Sequence, residues 1–144
     1  MNNIAIVRIR GIRNLKPKIK KTFELLMLAK PNQCVIMKND PKVMGMINVI
    51  QSYVAYGEVS EDLIKKLILK RGEKGGKRAK EIYSQTEAEK IAKAIYSGEP
   101  VKKYIDPVFR LHPPRKGYKN IKKAYPFGDL GKRADIEMLV KRMM

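Results

Sequence analysis

An apolar run, Ile4 to Val7, passes into alternating arginine and isoleucine over IAIVRIR, residues 4–10, which predicts a β-strand. Ala5, Val7 and Ile9 point to one face, and Ile4, Ile6, Arg8 and Arg10 to the other, so one face ends in two arginines. Gly11 and the following RNLK form the turn out. Pro17 suits a first helical position, and Ile19, Phe23, Leu26 and Met27 then recur at helical spacing, predicting a helix to about Leu28. KPNQ breaks that helix, and CVIMK (34–38) reads as a second strand. Asp40 and Pro41 join a capping side chain to a first-turn proline, and Val43, Met46, Ile47 and Ile50 give the next helix its buried stripe. Gly45 inside that helix costs about 1 kcal/mol against alanine, which points to close packing or to close approach of a partner. YVAYGEV (53–59) is the third strand.

Ser60, Glu61 and Asp62 then open a helix that runs to about Arg71. GEKGGKRAK (72–80) reads as a flexible basic break. It is not a phosphate-cradling loop, because Lys77 stands where that motif needs its second glycine. Thr86 and Glu89 form a capping box ahead of Ala88, Ile91, Ala92, Ile95 and Tyr96, and Gly98 ends the helix. Residues 99–131, with five prolines, read as irregular. A last helix over about 132–143 buries Ile136, Leu139, Val140 and Met143. No internal repeat is visible.

A chain of 144 residues makes one domain, or a small domain with an extension, and needs no disulfides to fold. The single cysteine, Cys34, excludes a disulfide framework and a multi-cysteine zinc site, and its apolar setting reads as a small buried hydrophobe. A reducing, intracellular setting follows. No stretch approaches the ~18 apolar residues that span a bilayer, and the N-terminus meets arginine too early for a signal peptide, so a soluble, cytoplasmic protein is expected.

Charge changes the picture most. The net charge is +18, with 10 basic and 3 acidic residues in 1–58, 10 and 7 in 59–100, and 12 and 4 in 101–144. The excess therefore sits at both ends of the chain. Self-repulsion of this size calls for a polyanionic partner, and nucleic acid is the expected one. A membrane surface fits less well, since there is no tryptophan and no lysine face opposite bulky apolar residues.

The only histidine, His112, lies in FRLHPPRKGYKNIKK (109–123). As a general base it would need Asp106 or Asp129 to orient it, but both adjoin proline or glycine, where aspartate commonly serves a turn. A pairing with Cys34 has no support in spacing, and no metal-ligand set is present. No cofactor or small-molecule substrate is expected. Binding suits the residue types better. Pro113 and Pro114 stiffen an extended run that presents Arg110, Arg115, Lys116, Lys119, Lys122 and Lys123 to phosphates. His112 and Tyr118 add flat faces for stacking on unpaired bases. A second basic set, Arg8, Arg10, Arg13, Lys16, Lys18, Lys20 and Lys21, contains no acid. Lys18 and Lys21 share one side of their helix, and Lys20 is as readily a solvated charge.

VRIRG (7–11), residues 32–60, PVFRLHPPRKGYKNIKK (107–123) and GKRADIEMLVKRM (131–143) together resemble the large-subunit ribosomal protein L-thirty family in its longer archaeal and eukaryotic form. The third stretch is the most specific. The resemblance implies an α+β fold: a three-stranded antiparallel sheet with two helices on one face, β-α-β-α-β and ferredoxin-like. A mainly helical and irregular C-terminal extension follows. It implies a core over 1–59 that binds rRNA and a basic extension over 60–144 that carries FRLHPPRKGY. It also implies a non-catalytic, ribosome-associated role: binding and stabilising folded large-subunit rRNA near 5S rRNA, beside neighbouring large-subunit proteins. Residues 72–98 match no family stretch, and no long basic N-terminal arm is present, which favours the archaeal type. Two rivals remain at this stage: an RNA-processing enzyme or accessory factor using His112, and a general nucleic-acid-compacting protein.

Overall fold

The computed structural model describes residues 3–11, 13 and 15–144. Ile12 and Asn14, part of the turn expected after the first strand, lie outside the described residues.

Strand β1 (Asn3–Arg8), helix α1 (Pro17–Leu25), strand β2 (Gln33–Lys38), helix α2 (Pro41–Ile50) and strand β3 (Val54–Val59) follow the expected order. α1 stops short of Leu28 because Met27 takes a left-handed φ of 60°. The Met27 and Leu28 amides turn back to the carbonyls of Glu24 and Phe23 at 3.1 and 2.9 Å, closing the helix end. α2 starts as predicted, with Asp40 accepting from the Lys42 amide at 3.0 Å. Its glycine differs from expectation. Gly45 is exposed and nothing lies within 4 Å of where its Cβ would stand, so packing inside the chain does not explain it.

β1 is the central strand, antiparallel to β2 (Val7 opposite Cys34) and to β3 (Val7 opposite Ala55). All six of its residues are buried, which requires cover on both faces. On one face Ile4 and Ile6 pack with Phe23, Leu26, Ile47 and Ile50 of the α1–α2 layer. On the other, Ala5, Val7 and Ile9 join a core built by residues after Ser60. The extension is thus the second half of a sandwich around the sheet.

Helix α3 (Glu61–Arg71) is capped by Ser60 and buries Leu63, Ile64, Leu67 and Ile68. The expected flexible break is ordered instead as a hairpin of β4 (Glu73–Lys74) and β5 (Lys77–Arg78). Gly75 and Gly76 take φ of 59° and 84°, the left-handed pair a two-residue hairpin turn requires. A short helix α4 (Ala79–Ile82) leads into α5 (Gln85–Tyr96). Its capping box is Ser84 with Glu87, two residues before the expected Thr86 and Glu89, and Glu89 pairs instead with Lys65 on α3.

The region expected to be irregular adds two strands to the sheet, after a 3₁₀ turn at Val101–Lys103. β6 (Val108–Arg110) pairs antiparallel with β2, and β7 (Gly131–Lys132) pairs parallel with β3. The sheet therefore has five strands in the order β6-β2-β1-β3-β7, not three. Pieces of three and two residues are too short to show alternation. Helix α6 (Ile136–Met143) starts later than expected, since Gly131 and Lys132 are used as strand.

Candidate nucleic-acid interface

The pairing registers bring the basic segments together. Arg8 at the end of β1 lies opposite Val54 at the start of β3; Gln33 at the start of β2 lies opposite Arg110 at the end of β6. β7 begins beside Ala55. The loop after β1, the loop before β2 and the whole of 111–130 therefore open from the same end of the sheet. The opposite end is tied off elsewhere, where the Asn3 side chain donates to the carbonyls of Ile95 and Tyr96 at the end of α5, both at 3.2 Å.

Asn32 is the joint between the two basic groups. Its amide donates to the Arg8 carbonyl at 2.7 Å, its carbonyl accepts from the Leu111 amide at 3.1 Å, and its side-chain oxygen accepts from the Tyr118 hydroxyl at 2.7 Å. Asn32 holds a left-handed φ of 65°, a conformation asparagine tolerates better than most residues.

In the first basic group the structure revises one expectation. Arg8 does not face solvent but is 2% exposed. Its guanidinium carbon lies 3.9 Å from the Phe23 ring centre, and it donates to the carbonyls of Leu28 at 2.6 Å and Arg10 at 3.2 Å. Burial lowers its pKa from the ordinary value. Alternation assigned Arg8 to the α1–α2 face correctly, but that face is covered to its end. Arg10 is half-buried, stacked 5.1 Å from the Tyr53 ring centre, and Tyr53 in turn meets Phe23 edge-on. Arg13, Lys16, Lys18 and Lys21 are exposed. Lys16 caps α1 without a side-chain hydrogen bond, and no acid occupies the first turn. Positive charge there opposes the helix dipole unless an anion is bound.

In the second group Arg115, Lys116, Lys119, Lys122 and Lys123 are exposed. Arg110 is exposed too, with Glu73 3.8 Å away. The loop that carries them is fixed from behind by α6: the amides of His112 and Arg115 donate to the carbonyls of Met143 and Arg142, both at 3.1 Å. Arg142 reaches back to the carbonyls of Arg115 and Gly117 at 3.4 Å. Lys116 and Gly117 take φ of 67° and 72°, which turns the chain sharply after the buried Pro114. Tyr118, expected to stack on a base, is instead half-buried against the core, and its pKa is pushed up to about 12 by burial and then by Asp129.

Residues 119–130 close on a buried acid. Asp129 accepts from the Asn120 amide at 2.9 Å and from Arg133 at 2.8 Å, and Arg133 also binds Asp135 at 2.9 and 3.0 Å. Desolvation opposes the Arg133 charge, but the bonds to Asp135 and Asp129 outweigh it and raise its pKa. Lys116, Lys119, Tyr125, Arg133 and Arg142 border a polar cavity of about 330 Å³.

Two of the partners considered for His112, Asp129 and Cys34, are taken up elsewhere. Asp129 is committed to Arg133 and Asn120, and the His112 Nδ1 sits 2.6 Å from the Pro113 carbonyl oxygen. Cys34 is fully buried, its thiol pKa pushed up to about 12 by burial. No group of metal-ligating side chains occurs among the described residues. No helix among them is long and apolar enough to cross a membrane.

Three relatives share this sequence nearly from end to end. The large ribosomal subunit protein uL30 of Methanothrix thermoacetophila is 40% identical over 148 residues, covering 96% of this chain and 98% of its own. The protein of that name from Archaeoglobus fulgidus is 42% identical, covering 88% and 90%. That from Methanococcus maripaludis is 41% identical, covering 97% and 98%. The family model described as ribosomal protein L30p/L7e matches residues 4–54.

The chain belongs to the ribosomal protein L30p/L7e family.

It is of the archaeal type, and the family is structural rather than enzymatic. In this L30p/L7e protein, sequence reasoning found the exposed cations of 110–123 but missed the residues that position them. Asn32 reads as part of a helix-breaking KPNQ, and Arg142 as one more charge on a helix. Asp129 and Arg133 stand four residues apart with opposite charge, a signal that was present in the sequence.

Proposed function

We propose that the basic end of the sheet grips large-subunit rRNA, 5S rRNA included, through phosphate contacts from both groups. Family membership makes the chain a structural, non-catalytic constituent of the large ribosomal subunit, and rRNA binding follows from it. Its partners are rRNA and the neighbouring ribosomal proteins, and its place is on the ribosome in the cytoplasm. The observation that carries the proposal is the shared sheet end, with Asn32 bonded to both Arg8 and Tyr118. Arg10, Arg13, Lys16, Lys18, Lys21, Arg110, Arg115, Lys116, Lys119, Lys122 and Lys123 make the contacts in this reading. Arg8 and Tyr118 hold the two loops in place, and His112 offers its flat face to an unpaired base.

The inclusion of 5S rRNA rests on the resemblance of the whole chain to the family's longer archaeal and eukaryotic form. Sedimentation tests the proposal. The purified chain, mixed with large subunits stripped of their own copy, small subunits and duplex DNA, should travel with the large subunits alone. Equal partition among the three would favour general nucleic-acid compaction instead.

A further inference from the structure

Phe127 is the most exposed large apolar side chain among the described residues, at 77%. Burying a phenylalanine is strongly favourable, so leaving one in water needs a reason. Looseness is not that reason. The Tyr125 amide donates to the Leu130 carbonyl at 2.9 Å, the Leu130 amide to Lys123 at 3.2 Å, and the Gly128 amide to Ala124 at 2.8 Å. The chain is so close at Gly128 that a Cβ there would stand 2.1 Å from the Lys123 carbonyl oxygen. With Asp129 locked beneath, Phe127 is held outward on a rigid frame.

The surroundings are cationic. Lys119, Lys122 and Lys123 are exposed, and the Lys119 ammonium donates to the carbonyl of Pro126, next to Phe127, at 3.2 Å. The only acid in 119–130 is Asp129, which is buried and bound to Arg133. An apolar pocket on a neighbouring protein would take the ring but would also have to answer three cations with an acidic rim. A nucleotide answers both at once, offering a flat base to the ring and phosphates to the lysines. A preformed platform also loses little entropy on binding.

We propose that Phe127 is a stacking platform for an unpaired rRNA base, with Lys119, Lys122 and Lys123 holding the flanking phosphates. The proposal rests on the rRNA-binding reading above.

The chain has no tryptophan, so Phe127→Trp installs a single reporter at the contact. With deproteinised archaeal large-subunit rRNA, the Trp variant should bind as the wild type does and its fluorescence should be quenched. Phe127→Leu and Phe127→Ala should each bind about 5- to 150-fold more weakly, the range measured for loss of one stacked base. An unquenched tryptophan, or a leucine variant equal to wild type, would overturn the stacking role. So would an alanine variant that binds naked rRNA normally but enters complete subunits poorly, which would assign the ring to a protein neighbour. A wild-type chain that fails to bind rRNA overturns the broader reading, and that outcome is distinct from these.

Discussion

Tyr118 donates its hydroxyl hydrogen to the side-chain oxygen of Asn32 at 2.7 Å, joining residues 86 positions apart. With its pKa pushed up to about 12, the phenol remains a donor through neutral and mildly alkaline pH. Tyr118→Phe should lower folding stability by about 0.5–1.5 kcal/mol, the usual net worth of one such bond. Urea unfolding measures this. Because no charge is removed, the number of phosphates neutralised should not change.

The Asp129–Arg133–Asp135 group makes a larger claim on stability. Asp129 and Arg133 are 2% and 6% exposed, so Arg133→Ala leaves a buried carboxylate without its cation. A loss of about 3–5 kcal/mol is expected on chemical unfolding.

Asp135 supplies a pH test. The Arg133 hydrogen bond holds its carboxyl below the ordinary value of 3.8. A lowered folded pKa stabilises the native state above the unfolded pKa, and this contribution is lost as pH falls through the folded value. The stability gap between wild type and Asp135→Asn should therefore shrink as pH drops below about 4.

Cys34 reports unfolding in the opposite direction. Its raised pKa, about 12 against an ordinary 9.0, keeps it a thiol in the native state. That stabilisation is complete below the unfolded pKa and is lost as pH rises from there through the folded value. At neutral pH, iodoacetamide should label Cys34 only as fast as the chain opens, and labelling should rise sharply in urea. Rapid labelling of the native chain would contradict its burial.

Gly45 is predicted to be costly for the free chain. Gly45→Ala should stabilise the isolated protein by up to about 1 kcal/mol, since the added methyl meets open space. A gain in stability together with poorer entry into large subunits would show that a partner approaches α2 at this point.

The first half of the fold was legible because its strands have six residues and its helices nine and ten, enough positions for a period to show. β6 and β7 were not, since three and two residues carry no period and their pairing is set by tertiary contact. The same division runs through the site. Exposed cations such as Arg115 and Lys116 announce themselves by density along the chain. Arg8 does not announce its burial, because the Phe23 ring and the Leu28 carbonyl reach it only once α1 has docked on the sheet. Tyr118 reads as a free flat side chain until Asn32 is placed opposite its hydroxyl.

The most direct test of the basic-end clamp is the salt dependence of rRNA affinity. It should be compared for wild type, a variant with Arg115→Ala and Lys116→Ala, and one with Lys90→Ala and Lys93→Ala on α5. If the clamp makes six to ten phosphate contacts, wild-type affinity should fall roughly 10³–10⁵-fold between ~50 and ~200 mM salt. Loss of Arg115 and Lys116 should flatten the log–log slope by up to about 2 and weaken binding across the range. Loss of Lys90 and Lys93, on the helix whose end is tied to Asn3 at the far end of the sheet, should change neither. A wild-type affinity nearly flat in salt, or equal losses in the two variants, would contradict the clamp.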